Sequence, residues 1–120
     1  MSGIERKNLD SPDERRTPEK SVVDVVKLGT TTVGRLTAQP GWRWSECIKP
    51  VVGTDSCQVR HVGYVVEGSL QVEHEDGTKE ELAAGDAYVV EPGHDAWVTS
   101  DSPFVGLEFE SKAAEEYAKS

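Results

Sequence analysis

Residues 61–93 read HVGYVVEGSLQVEHEDGTKEELAAGDAYVVEPG, and their punctuation decides the fold. An apolar run from His61 ends at Glu67-Gly68, a second covers Leu70 to His74, and Asp76-Gly77 supplies a hairpin turn. Gly85-Asp86 launches a further run that stops at Pro92-Gly93. Asp-Gly and Gly-Asp pairs between short β-branched and aromatic runs mark an antiparallel meander.

The same rhythm continues outward. Order is expected to begin near Ser21, where SVVDVVKL is β-rich, and Gly29 turns the chain into TTTVGRLTA. Pro40-Gly41 makes a turn before WRWSECIK, whose side chains alternate like those of a strand, and Pro50 and Gly53 frame a loop. Cys57 to Glu67 reads as a strand region broken near Arg60-His61, followed after the hairpin by Ala96–Thr99, a turn at 100–103, and Phe104–Phe109. Strands at intervals of about eight to twelve residues predict an all-β sandwich or barrel over 21–110. Beyond it, residues 111–120 are strong helix formers with Ser111 at the N-cap position, which predicts a short C-terminal helix.

Residues 1–20 carry few apolar side chains and cannot offset their own ordering entropy by burial, so they are expected to be a disordered or loosely docked arm. They hold five acids and five bases, so the whole net charge of -9 falls on residues 21–120. An acidic barrel repels phosphate backbones, which argues against a nucleic-acid partner. No run approaches the ~20 apolar residues of a membrane helix, and the N-terminus lacks the apolar segment of a signal peptide, so a cytoplasmic protein without a membrane partner is expected. Cys47 and Cys57 are the only cysteines, and in a reducing compartment they read as free thiols or a ligand.

Residues 28–109 resemble the cupin family, whose two motifs bracket such a hairpin. The first motif runs HxHxxxE before an apolar run ending in glycine. Anchored on Gly68, DSCQVRH at 55–61 stands in its place, with Asp55 and Cys57 at the histidine positions and His61 at the glutamate position. GDAYVVEPGHDA at 85–96 is similar to the second motif, GDxxxxPxGxxH, with Glu91 at the proline position and Ala96 at the final histidine position. The resemblance implies a jelly-roll-like, double-stranded β-helix barrel that holds a small molecule inside and forms a homodimer, the latter matching apolar residues on both faces of Val62–Val66.

The motif positions admit two readings. Asp55 and Cys57, two apart, can share a strand face with His61 nearby, and carboxylate, thiolate and imidazole together suit zinc or iron with an open position for water or substrate. Equally, Cys57 reads as a small buried hydrophobe, Asp55 as a loop cap after Thr54, and His61 as a hydrogen-bonded structural residue. His94 follows the Pro92-Gly93 turn; if a strand starts there it shares a face with Ala96, as a displaced ligand, a general base or a rim residue. His74, beside the hairpin turn, reads as exposed.

Trp42, Trp44 and Trp97, with Cys57 and Tyr64, are candidates for a pocket wall, or alternatively for core or interface packing. Tyr64 and Tyr88 sit in apolar runs and each calls for one hydrogen-bond partner. The function expected is a cupin-like barrel binding a small molecule in its interior without metal, in a ligand-binding or sensor role. The alternative is a small-molecule enzyme, metal-dependent or acid/base, using His61, Cys57 and His94.

Overall fold

The structure, a computed structural model, describes residues 3–109. The helix expected over 111–120 lies outside the described residues. In chain order the strands are β1 (Glu14–Arg16), β2 (Ser21–Leu28) and β3 (Thr31–Ala38), then, after two short helices, β4 (His61–Glu67), β5 (Ser69–His74), β6 (Lys79–Ala83), β7 (Ala87–Val90), β8 (His94–Val98) and β9 (Phe104–Glu108). They form a six-stranded sheet, ordered β1-β2-β3-β9-β4-β7, and a three-stranded sheet, ordered β6-β5-β8. Every pairing is antiparallel.

Alternation explains which residues face inward. In β9, Phe104 and Gly106 are buried; in β5, Leu70 and Val72 are. Val23, Val25 and Val65 from the large sheet meet Leu70, Val72 and Ala96 from the small one in a single core. The opposite face of β4 and β7 exposes Tyr64, Val66 and Val89. The meander follows its turn residues: Gly68 joins β4 to β5 at φ 76, where an added Cβ would also run into the Pro103 carbonyl. The barrel does not close. β6 and β7 are edge strands of different sheets, and no ladder joins them.

WRWSECIK is a correction. Instead of a strand it forms two helical turns, α1 (Trp44–Cys47) and α2 (Lys49–Val52). Trp44, Cys47 and Ile48 are all buried, and their i, i+3, i+4 spacing is one helical face. The Asp95 carboxylate, from β8, accepts hydrogen bonds from the Ser45 backbone N–H (3.0 Å), the Ser45 hydroxyl (3.0 Å) and Arg43 Nε (3.1 Å), fixing the start of α1. A tertiary carboxylate thus supplies what the local sequence does not.

The N-terminal arm is docked by ions rather than by apolar burial. β1 pairs with β2, placing Arg15 opposite Asp24, which in turn lies opposite Arg35 on β3. Asp24 is 2 % exposed and accepts from Arg15 at 2.6 Å and Arg35 at 3.0 Å. Asp13 accepts the Lys27 backbone N–H at 2.7 Å, and Arg35 also reaches the Leu9 carbonyl and Asp10. A mixed-charge composition looks disordered when read alone, yet here it complements a buried carboxylate.

Candidate functional site

Three donor side chains converge between the sheets. Cys57 stands on the loop before β4, tied by its backbone to His94: the Cys57 N–H donates to the His94 carbonyl at 2.8 Å. His61 opens β4 and His94 opens β8, both on buried faces. Cys57 Sγ lies 3.5 Å from His61 Nε2, and the two imidazoles meet edge-on at 5.2 Å between centroids. One ligand atom from each of Cys57, His61 and His94 lies within 4.8 Å of the others, and all three residues are buried.

Each imidazole is oriented from behind. His94 Nδ1 is 2.8 Å from the Glu91 carbonyl, which can only accept, so Nδ1 donates and its partner fixes the ring's orientation. His61 Nδ1 pairs with Glu108 Oε1, and the Tyr88 hydroxyl donates to Glu108 Oε2 at 2.7 Å. This chain of contacts runs along one row of the sheet: Tyr88 on β7 and Glu108 on β9 are both register partners of Gly63 on β4. Gly63 is the reason the row fits. A Cβ there would fall on the Leu107 carbonyl oxygen, 2.6 Å from Glu108 Oε2 and 2.7 Å from the Tyr88 hydroxyl.

Electrostatics bind the group together. Burial pushes the Cys57 thiol up, but hydrogen bonds and charge from His61 and His94 outweigh it and bring it down to about 6. Burial likewise opposes charging His61, yet Glu108 on one side and Cys57 on the other raise it to about 10. The two shifts run in opposite directions, the thiol down and the imidazole up, and each favours the charged form of its partner. Tyr88 is pushed up, first by burial and then by Glu108, and stays a phenol. Cys47 is also raised, chiefly by burial, and lies outside the cluster.

Beside the cluster is a chamber of about 40 Å³, lined in part by Trp42, Trp44, Tyr88, Phe104, His61 and His94. That is space for a few water molecules. Trp42 is 2 % exposed, and its Nε1 is a buried donor with no acceptor among the described residues.

Several expected site residues lie elsewhere. Asp55 is exposed in a loop, because residues 54–60 form no strand beyond an isolated bridge at Cys57, so the alternation that would aim Asp55 inward does not apply. Tyr64 is 42 % exposed, on the outer face of β4. Trp97 shares the outer face of β8 with Asp95 and stacks under the Arg43 guanidinium, 4.3 Å from the ring centroid. Trp42 and Trp44 do reach the interior, from the turn before α1 and from α1 itself. Glu108 and Tyr88 were not among the residues expected at the site. The signal for Glu108 was present in FVGLE, where it shares the inward parity of Phe104 and Gly106.

No family model and no curated protein matches this sequence. Solved structures do match in fold. A protein of unknown function from Rhizobium leguminosarum aligns with TM-score 0.64 and 19 % identity over 89 % of this chain and 95 % of its own. A Klebsiella pneumoniae protein with a double-stranded β-helix domain aligns with TM-score 0.58 and 21 % identity over 90 % of this chain and 88 % of its own. The oxalate decarboxylase of Lactobacillus farciminis, solved as a formate complex, aligns with TM-score 0.57 and 18 % identity over 79 % of this chain and 30 % of its own. At such identities the likeness carries the fold alone. The chain has a cupin-like, double-stranded β-helix fold.

Proposed function

We propose that the protein is a small-molecule enzyme of cupin-like fold in which Cys57, His61 and His94 hold a divalent metal ion, zinc or iron. The observation that carries this reading is the convergence of three buried donors within 4.8 Å. Zn–N bonds of about 2.0–2.1 Å and Zn–S bonds of about 2.3 Å place tetrahedral ligand atoms about 3.3–3.6 Å apart. The 3.5 Å between Cys57 Sγ and His61 Nε2 is such an edge. Both imidazoles present Nε2 to the centre, with Nδ1 held from behind by a carboxylate or a carbonyl, the arrangement that fixes ring orientation at metal sites.

The donor set is two imidazoles and one thiolate, which leaves a position for a substrate oxygen. The ion, when bound, would supply Lewis-acid polarisation of that oxygen. The chain's own groups do the rest. Glu108 holds His61 in place and is itself held by Tyr88, and Trp42, Trp44 and Phe104 give the chamber an apolar wall. The chamber is too small for an organic ligand to lie wholly inside, which favours chemistry at its wall over storage within it.

A second reading rests on the same residues without metal. Cys57, His61 and Glu108 are ordered as a nucleophile, a base and the group that orients the base. Metal analysis of protein purified without a histidine tag separates the two. Near-stoichiometric zinc or iron, lost in His61→Ala and His94→Ala and retained in Asp55→Ala, is expected. Failure to take up zinc or ferrous ion at micromolar concentrations, combined with rapid alkylation of Cys57, would replace the metal reading with the thiolate one.

A further inference from the structure

Where the two sheets fail to join, a cleft of about 700 Å³ lies between β6 and β7. Pockets of about 300–1,000 Å³ take small organic ligands. Its floor is apolar: Val72, Leu82, Tyr88 and Val90, the same four side chains that wall the inner chamber from this side. A molecule seated in the cleft is therefore one layer of side chains from the Cys57–His61–His94 cluster. It rests against Tyr88, which is hydrogen-bonded to Glu108.

The rim is acidic on both banks. Glu80 lies opposite the buried Val72 in the β5–β6 register and so projects from the inner face of β6 beside Leu82. Glu81 and Asp86 also line the cleft, as does Glu91, which Arg60 partly neutralises at 2.7 Å. No lysine or arginine among the described residues lines it. An anion would meet five carboxylates, those of Asp76, Glu80, Glu81, Asp86 and Glu91, against the single imidazole of His74, whose Nε2 is already 2.8 Å from the Pro92 carbonyl. A cation with an apolar body meets a complementary charge and an apolar floor.

We infer that this cleft is the binding site of a small organic cation, an amine with an apolar body, and that this is the substrate class of the centre. The inference rests on the proposed site for its second half only. Charged edge strands also discourage pairing between sheets, but that role needs no concave apolar floor between the carboxylates.

Three probes of one shape test the class: tyramine, the neutral tyrosol and the anionic 4-hydroxyphenylacetate. Binding is read from backbone amide shifts of the metal-free protein, so a failure here is distinct from a failure to bind metal. Tyramine is expected to shift residues 80–91, tyrosol more weakly and 4-hydroxyphenylacetate not at all. Glu80→Gln with Glu81→Gln should weaken tyramine about threefold or more, as should raised salt, since these are partly exposed charges. Equal binding of all three probes, tyramine shifts confined to other surfaces, or an unchanged affinity in the folded double variant would overturn the assignment. So would binding of a lysine-rich peptide along β6 or β7 with none of tyramine.

Discussion

Gly63→Ala adds one methyl group at the crossing of Tyr88, Glu108 and His61, and its cost follows from the geometry. The new Cβ overlaps the Leu107 backbone carbonyl, which cannot swing aside without breaking the β4–β9 ladder, and it stands 2.6–2.7 Å from the two oxygens of the Tyr88–Glu108 hydrogen bond. Overpacking of this kind costs about 1–3 kcal/mol, and a lost buried hydrogen bond adds about 1 kcal/mol. A total of about 2–4 kcal/mol is a large share of a domain stability of about 5–15 kcal/mol. At about 3–5 °C per kcal/mol for a domain of this size, the melting temperature should fall by about 6–20 °C. The assay is thermal unfolding followed by circular dichroism on metal-free protein, because bound metal shifts the midpoint by mass action. Gly85→Ala is the control: its φ is 96, but an added Cβ meets nothing within 4 Å, so only a backbone term of about 1 kcal/mol applies. A Gly63→Ala midpoint within about 2 °C of wild type, or above that of Gly85→Ala, would refute the packing argument.

Other outcomes follow from the described contacts. In metal-free protein, thiolate absorbance near 240 nm that disappears in Cys57→Ser should titrate with a midpoint near 6, while Cys47 stays protonated; a midpoint above about 8 would deny the pairing with His61. Cys57 is depressed from 9.0 to about 6, so its contribution to stability is complete above about 9 and is lost as the pH falls to about 6. His61 is raised from 6.5 to about 10, so its contribution is complete below 6.5 and is lost as the pH rises to about 10. The two opposing slopes cancel between about 6.5 and 9. Stability measured across pH 5–11 should therefore show a plateau in the wild type that is absent from Cys57→Ser. Asp24→Ala should cost about 2–3 kcal/mol in denaturant unfolding, since Arg15 and Arg35 lose a shared buried partner but keep access to water; a loss under 0.5 kcal/mol would show that the row is not coupled. Deleting residues 1–17, which removes β1 and the Asp13 acceptor of the Lys27 N–H, should lower the melting temperature clearly, and an unchanged value would mean that the arm does not hold β2 in solution.

The meander from His61 to Gly93 was legible because its turn chemistry is explicit: Gly68, Asp76-Gly77 and Gly85 stand where the chain must reverse. WRWSECIK was not, since its period-two pattern coincides with the helical spacing of Trp44, Cys47 and Ile48. What decided between them was Asp95, fifty residues away on β8. Asp55 was aimed inward by an alternation that holds only inside a ladder, and the chain is not in one there. The partnership of Glu108 with His61 and Tyr88 depends on which strands become neighbours, a matter of topology that no local window contains. Sequence position alone could show that Glu108 sits on the inward face of its strand, but not what it would meet.

The strand order also sets how this chain must fold. β9 is the central strand of the large sheet, between β3 and β4, yet it is among the last parts of the described chain to be made. The backbone leaves β3 at Ala38 and completes the β3 ladder only on returning at Phe104. The β2–β3 and β5–β6 hairpins can form locally, but a wide loop must close before the sheet exists, and closure entropy makes such non-local pairing slow. Until then Gly63 has only β7 beside it, and the inner faces of β3 and β4 are open to water. During synthesis these half-sheets expose unpaired edges, the condition under which chaperones and aggregation compete for a nascent chain.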